Sequence, residues 1–551
     1  MTKPSLLQLS VLTLATVPDF AQLPAPTLTQ RVAPRAAWTA VTSGGTSSTT
    51  VNQRADNPGA ASNDKLYVFG GCKGNNTATT LNDLWEFEPV AGTFTQLIPN
   101  SNPGSPAHRG RASIAWNFAT NRLTVFAGNT RGGAAGTGTA TLLQDVWEWD
   151  ATNGWFDVTP TSGPAPAPRQ HAPMTWDPQS GNLIVFGGQT NDATPQTLSA
   201  ETWAFTSNPI AGQPGTWTDL TTTVTSTPAA RTQAYLVTRS DFGDCLLCGG
   251  IDNATAAPDQ IRFLDVWLWS SGDWTKISDC DVLTNPTGAG TTWPAGVNAG
   301  QAVYDPLRQR VVVQGGQGIT VAANTTYVYG PSYGGSPSNY TSEFDCLTNS
   351  WVIYGNPTTG TTPFNNNDPA IGRISRYSAG FIPATGKVYK ACGQNAAGSS
   401  SNPTYNVYAY QASPVASAVA YGSGCTGPGG LVTLSSNDLP WTGRTWTATC
   451  SNLGPVSLTV TMWGTTTASV PLSLLFPFAP VGCDLLQSND FLFGPDLPVG
   501  GQTPVTLGVP NDPTLAGFAL NAQVAELEFD LSFQWIGLYA SNGITVTIGA
   551  L

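Results

Sequence analysis

The chain has 551 residues, of which 40% are hydrophobic and only 10% are charged. Its 18 Trp, 15 Tyr and 21 Phe supply ample apolar surface for a core, which excludes a disordered chain. The net charge of −12 and the lack of a basic patch exclude a nucleic-acid binder, because phosphate backbones would be repelled. Abundant Thr, Asn, Gly, Val and Trp with little Lys, Glu or Met favour an all-β fold.

The first segment in chain order has the pattern of a secretion signal. Lys3 precedes a moderately apolar stretch from Leu6 to Val17, which is too short to span a bilayer. We therefore expect residues 1–25 to be a signal peptide, cleaved after Ala21 or Ala25, and the protein to be secreted, periplasmic or bound at the cell surface. No later segment has about 18 unbroken apolar residues, so we expect no integral membrane segment.

Next comes a strand ending in two small residues, which recurs six times between residues 66 and 393. These strands read LYVFGG, LTVFAG, LIVFGG, CLLCGG, VVVQGG and VYKACG. A short strand and a tight turn precede most of them. A polar loop, an aromatic-acidic strand such as NDLWEFE and a closing strand such as WTDL follow in the clearest units. Each unit therefore predicts four antiparallel strands.

The double glycine, the aromatic beside an Asp and the later Trp resemble the Kelch repeat over residues 31–411. This resemblance implies a β-propeller, in which four-stranded units stack radially and bury each other's faces. We expect the recurring tryptophans to fill the space between neighbouring units. They are Trp85, Trp147, Trp203 and Trp267.

The last two units depart from the pattern. The fifth is stretched, with either TYVYG or SEFDC as its third strand, and the sixth has no closing strand after YNVYAYQ. The N-terminal run RAAWTAV, in contrast, looks like a closing strand with no unit before it. We therefore predict that Trp38 to Val41 pairs into the last unit, which removes two exposed edges and gives six blades.

Residues 417–551 have a different composition, with alternating runs such as SLTVTMW and ITVTIGAL between Gly, Pro and Asn turns. This period of two predicts a C-terminal β-sandwich. Its motifs GSGC, NDLPW and VPNDP resemble the β domains that end many exported proteins of planctomycete-type bacteria. Cys425 and Cys483 lie in Gly-rich turns of this segment and are our candidates for a disulfide.

Histidine is too scarce for most metal chemistry. The chain has only His108 and His171, which fall at similar places in consecutive repeats. Galactose oxidase-like enzymes share the Kelch architecture, but their copper site needs two His and two Tyr, one of them cross-linked to Cys. No such set is apparent, so we predict no catalytic residues, no metal and no cofactor.

Arginine recurs at the start of the innermost strand of several units. The residues are Arg111, Arg169, Arg231 and Arg373, or Arg376 in place of the last. In a propeller this position lies near the axis, where several guanidinium groups would bind a carboxylate or a sialic-acid-like sugar. The alternative is that each Arg ties its own blade to the next through backbone hydrogen bonds.

Long loops of different sequence follow the glycine pairs and are expected on one face of the ring. We therefore predict an exported, non-enzymatic binding or scaffold protein that recognises a protein or a carbohydrate at this face. The alternative is a sugar-active enzyme, because six-bladed exported Kelch proteins include sialic-acid mutarotases. The sequence offers the Arg set for such an enzyme but no acid that clearly matches it.

Overall fold

The computed structural model describes most of the chain. The described residues are 29–32, 36–42, 54–56, 59–73, 79–131, 140–193, 195–252, 261–263, 265–278, 300–315, 341–354, 374–397, 400–403, 406–412 and 415–550. In these residues the protein is all-β and contains no α-helix. Nor does this part of the chain contain a helix long and apolar enough to cross a bilayer.

Six sheets, numbered here in chain order, make up the N-terminal part. The first three contain the clearest repeats, and each runs from an innermost to an outermost strand. Sheet 1 contains Arg54–Ala55, Gly59–Ala61, Leu66–Lys73, Thr79–Glu88 and Thr93–Ile98. Sheet 2 contains Ser113–Asn117, Arg122–Phe126, Val146–Asp150 and Gly154–Asp157. Sheet 3 contains Met174–Trp176, Leu183–Phe186, Thr202–Thr206 and Thr216–Asp219.

The remaining three sheets follow the same antiparallel order. Sheet 4 contains Tyr235–Arg239, Asp244–Cys248, Val266–Ser270 and Asp273–Ser278. Sheet 5 contains Ala302–Asp305, Arg310–Gln314, Thr341–Asp345 and Ser350–Tyr354, and sheet 6 contains Ser378–Ile382, Lys387–Ala391 and Val407–Ala412. Short pairs beside the sheets are Asn129–Arg131 with Ala140–Leu142, Ile251–Asp252 with Ile261–Arg262, and Gln394–Ala397 with Ile374–Ser375 and Ser400–Pro403.

The innermost strands lie side by side around a common axis. Each contacts the innermost strand of the next sheet, and Ser378–Ile382 of sheet 6 contacts Gly59–Ala61 of sheet 1. The sheets therefore form a ring.

Neighbouring sheets pack through the alternation of side chains along each strand. Leu183–Phe186 is buried throughout. Leu183 and Val185 pack in a cluster with sheet 2, whereas Ile184 and Phe186 pack with sheet 4. Burying each such side chain contributes roughly 1.5–3 kcal/mol. This explains the continuous apolar runs before the glycine pairs, because both faces of the strand are covered.

The N-terminal segment closes the ring as predicted. Ala36–Thr42 pairs antiparallel with Val407–Ala412 of sheet 6, which places Trp38 opposite Tyr410. The Trp38 indole also donates a hydrogen bond of 2.9 Å to Thr341 Oγ1 of sheet 5. A further strand, Thr29–Val32, adds parallel to Ser350–Tyr354 at the outer edge of sheet 5.

Two sheets share the core of the C-terminal part. The larger contains Ser417–Tyr421, Gly543–Thr547, Ala519–Phe529, Ser457–Gly464 and Phe491–Asp496, with Trp535–Ala540 paired to Ala519–Phe529. The smaller contains Thr433–Ser436, Thr445–Ser451 and Gln502–Gly508. Trp446 and Trp463, one from each sheet, meet edge to face with ring centroids 5.8 Å apart. The two sheets therefore cover each other's apolar faces.

Smaller elements complete this part. They are the strand pairs Thr426–Gly427 with Gly430–Leu431 and Thr467–Pro471 with Asp484–Gln487, and the 3₁₀ turns Leu472–Leu474 and Pro513–Leu515. A disulfide joins Cys425 to Cys483, the residue directly before the strand Asp484–Gln487.

Candidate binding site at the centre of the ring

A buried arginine recurs at the entrance to the first four sheets. Each side chain is fully buried and forms an ion pair with an acid of its own sheet, at N···O distances of 2.5–2.8 Å. The pairs are Arg54–Asp83, Arg109–Asp145, Arg169–Glu201 and Arg231–Asp265. The Nη1 group of each arginine also donates to the backbone carbonyl of the first of the two recurring small residues of the same sheet. Arg169, for example, donates in this way to the Gly187 carbonyl.

The same acids orient the recurring tryptophans. The indole N–H of Trp85, Trp147, Trp203 and Trp267 donates to the acid two residues earlier, at 2.7–3.1 Å. Three of these rings lie in clusters that join neighbouring sheets: Trp85 between sheets 1 and 6, Trp203 between sheets 2 and 3, and Trp267 between sheets 3 and 4. Trp147 is half-buried.

Backbone bonds of the same arginines tie consecutive sheets together. The carbonyls of Arg109, Arg169 and Arg231 accept hydrogen bonds of 2.9–3.0 Å from the second glycine of the preceding sheet. Arg169 and Arg231 are therefore placed between sheets and not at the axial opening. This arrangement is the structural alternative that the sequence left open for them. Arg373 lies outside the described residues.

A second set of residues, two positions further along, lines the axial opening. It consists of Asp56, Arg111, His171, Gln233 and Arg376, one from each of sheets 1–4 and 6. All five have a left-handed backbone, with φ between +52° and +58°. Hydrogen bonds link them around the axis, from Arg111 N to Asp56 O, from His171 N to Arg111 O and from Gln233 N to His171 O. These bonds account for a conformation that L residues seldom adopt.

The opening leads into a pocket of ≈ 730 Å³, measured out to solvent. Its entrance is polar, and its wall is formed by side chains of the innermost strands. Wall residues include Ile114, Met174, Leu236, Ala302 and Tyr377. The combination of an apolar wall with a few convergent polar groups is typical of a ligand site.

Asp56 is the electrostatic centre of this polar entrance. One of its carboxylate oxygens lies 3.4 Å from Arg111 Nε and 3.2 Å from an Arg376 nitrogen. Burial alone would raise the pKa of Asp56, but Arg376, Arg111 and His171 outweigh it and hold this pKa well below its usual range. Asp56 is therefore ionised throughout the physiological pH range.

The guanidinium groups of Arg111 and Arg376 differ in the number of polar partners that they contact. Arg111 also donates to Gln170 Oε1 at 3.3 Å and lies 3.8 Å from Asp192. Arg376 forms an ion pair with Asp56 alone among the described residues, and its side chain stays 24% exposed. Its guanidinium is therefore the cation in this pocket that a ligand oxygen can reach.

The arginines predicted for the axial opening from the sequence lie at two different places. Arg111 and the alternative residue Arg376 lie in the pocket, whereas Arg169 and Arg231 do not. Asp56, His171 and Gln233 were not recognised as its partners. The signal was available, because Arg109, Arg169 and Arg231 each precede the second small residue of their sheet by the same 19 residues. The mouth position lies two residues later in every case.

The ring of antiparallel sheets, the double glycine and the axial pocket define a Kelch-like β-propeller. Residues 27–238 match the family model described as the Attractin/LZTR1 beta-propeller. This match includes sheets 1–3 and most of the innermost strand of sheet 4. No curated protein matches the chain. A propeller of this kind is consistent with a scaffold for protein interactions.

Proposed function

We propose that this chain is an exported six-bladed propeller with a C-terminal β-sandwich, and that it acts as a non-enzymatic scaffold that binds another protein at its axial pocket. The six sheets of the described residues, with sheet 6 against sheet 1, support the blade count. The two facing sheets of residues 417–550 support the sandwich.

Export is supported by two independent features. The N-terminus has a Lys followed by an apolar stretch of signal-peptide length. The bond between Cys425 and Cys483 is of a kind that persists in oxidising compartments and is rare in the cytosol.

The observation that carries the binding proposal is the partly exposed Arg376 guanidinium in the pocket lining, which pairs with Asp56 alone among the described residues. A carboxylate is the strongest acceptor that a protein partner offers to it. The pocket has room for one or two side chains, and the chain segments around the opening would contact the rest of the partner. The partner is therefore expected to insert an Asp or Glu side chain along the axis.

A displayed library of random peptides, selected against the full chain, tests this proposal. Selected peptides are expected to carry Asp or Glu, and their affinity is expected to fall by about tenfold or more in Arg376→Gln, because a hydrogen bond between charged groups is lost. Lys65→Gln removes the same charge from the turn between Gly59–Ala61 and Leu66–Lys73, outside the pocket lining, where Lys65 pairs with Glu86, and should leave the affinity unchanged. Selected peptides without acidic residues, or full affinity in Arg376→Gln, would refute the axial carboxylate site.

A further inference from the structure

The C-terminal domain exposes a cluster of large apolar side chains on two adjacent loops. We call this cluster the apolar ridge. Its exposed members are Leu474, Leu475, Phe476, Phe478 and Val481 of the first loop with Leu531 and Phe533 of the second, and the half-buried Trp535 lies at its base. The Trp535 ring joins the loops, since its centroid lies 5.8 Å from that of Phe476 and 5.4 Å from that of Phe478.

The exposure of these side chains is extreme for apolar residues. Leu531 is 91% exposed, Val481 96% and Phe533 80%. Ordinary monomers rarely leave so large an apolar patch uncovered.

The first loop holds its side chains outward on a rigid base. Leu472 and Ala479 anchor it in the core, and Cys483 at its end is tied to Cys425 by the disulfide. The Leu472 N–H also bonds to the Cys483 carbonyl at 2.7 Å. Little conformational entropy is therefore lost when a partner covers the ridge, which favours binding.

The second loop is braced in a similar way. The Asp530 carboxylate accepts hydrogen bonds from the backbone N–H groups of Ser532 and Gln534, both at 2.8 Å. Leu531 and Phe533 are therefore presented on a fixed turn.

The charges around the ridge are of one sign. Asp484, Glu528 and Asp530 adjoin it, and no Lys, Arg or His occurs after Arg444 in the sequence. A second copy of the chain would bring two acidic rims together, and an anionic lipid surface would be repelled. Charge complementarity instead selects a surface with an apolar centre and basic flanks.

We infer that the apolar ridge is a second binding site, separate from the axial pocket, and that its partner is a protein segment in which apolar residues are flanked by Lys or Arg. The ridge supplies the buried centre of the interface, and the acidic rim supplies the orientation and the discrimination against other apolar surfaces.

Two synthetic peptides test this inference with the full chain. They share a Leu/Phe centre, and Lys flanks one whereas Glu flanks the other. The Lys-flanked peptide is expected to bind about tenfold tighter or more, and its affinity should fall as salt is raised. Binding is measured by the anisotropy of a label on the peptide.

Substitutions at the ridge show where the peptide binds. The double variant Phe478→Ser with Leu531→Ser is expected to abolish binding of the Lys-flanked peptide. Ile210→Ser removes a similarly exposed apolar side chain from the propeller and should leave binding intact. These substitutions change exposed groups, and unchanged thermal unfolding will show that the fold persists.

Three results would overturn the inference. They are equal binding of both peptides, binding that survives the double variant, and ridge-dependent binding to phosphatidylcholine vesicles or ridge-dependent dimerisation in place of peptide binding. None of them bears on the axial pocket, since the ridge variants leave Arg376 in place.

Discussion

The two residues of the recurring small pair have different backbone requirements. The first position has φ near +60°, a left-handed conformation that other residues tolerate, and Ala127 and Cys392 occupy it. The second has φ between +92° and +102° at Gly71, Gly128, Gly188, Gly250 and Gly393, which is open only to glycine. This explains why LTVFAG and VYKACG keep the second glycine and lose the first.

Gly128→Ala is therefore expected to destabilise the protein by about 2–4 kcal/mol. Besides the forbidden φ, a Cβ there would lie 2.8 Å from the Gly110 carbonyl oxygen and 3.0 Å from Ala112. Gly154→Ala is the matched control, because Gly154 has φ +71° but open space around its Cβ, and should cost about 1–2 kcal/mol. Denaturant unfolding measures both. Equal losses would show that the close approach of the backbone to Gly110 and Ala112 contributes nothing.

The arginine positions show where prediction from sequence stops at this scale. In a regular strand, residues two apart share a face, so strand alternation alone would place Arg109 and Arg111 on the same side. The left-handed residue at Arg111 breaks this alternation, leaving Arg109 buried against Asp145 while Arg111 faces the pocket. A backbone reversal of this kind is set by hydrogen bonds around the axis, so local composition does not encode it, and only the spacing to the small pair marks its position.

At the scale of the repeated element, one acidic residue in each of sheets 1–4 pairs with the buried arginine and accepts the hydrogen bond of the tryptophan indole. Burial alone would raise the pKa of Asp145, Glu201 and Asp265, but hydrogen bonds and charge from their arginines lower each pKa below its usual value. A depressed carboxyl pKa adds stability that is present above the unfolded pKa, about 4, and is lost as the pH falls through the folded value.

The free energy of unfolding is thus expected to fall steadily below about pH 4. Asp265→Asn should lower the free energy of unfolding at pH 7 by about 3 kcal/mol or more, because Arg231 is left buried without its counter-charge. It should also make the acid limb, the fall of the free energy of unfolding below about pH 4, less steep. Asp219→Asn, at an exposed position, serves as the control. An acid limb as steep in Asp265→Asn as in the parent chain would contradict this assignment.

The strands themselves were largely predictable. The small pair and the aromatic strand that follows mark sheets 1–4, and sheet 5 takes its third strand from the SEFDC alternative, at Thr341–Asp345. Thr29–Val32 was not foreseen as a strand. It has four residues and no hairpin partner, and it exists because the outer edge of sheet 5 offers parallel hydrogen bonds from a part of the chain more than 300 residues away.

At the scale of the whole molecule, three distant segments meet in one cluster. The buried side chains of this cluster include Trp38 from the N-terminal segment, Val312 of sheet 5, Tyr377 and Tyr410 from sheet 6 and the residue before it, and Trp441 of the C-terminal part. The Trp441 indole donates to the Leu307 carbonyl. The seam where the ring closes is therefore also a place where the C-terminal part of the chain packs against the ring.

This shared cluster predicts that the ring and the C-terminal domain unfold together. Trp441→Ala is expected to cost about 3–5 kcal/mol, because it leaves a cavity at the seam, and to split the single thermal transition into two. Leu431→Ala, at an exposed position of the same domain, should preserve one transition. Scanning calorimetry distinguishes the outcomes. A single transition of Trp441→Ala at the parent temperature would contradict this prediction. In that case the Arg444 contacts to Gln309 and Asp345 hold the C-terminal part to the ring, and Trp38 closes the seam without Trp441.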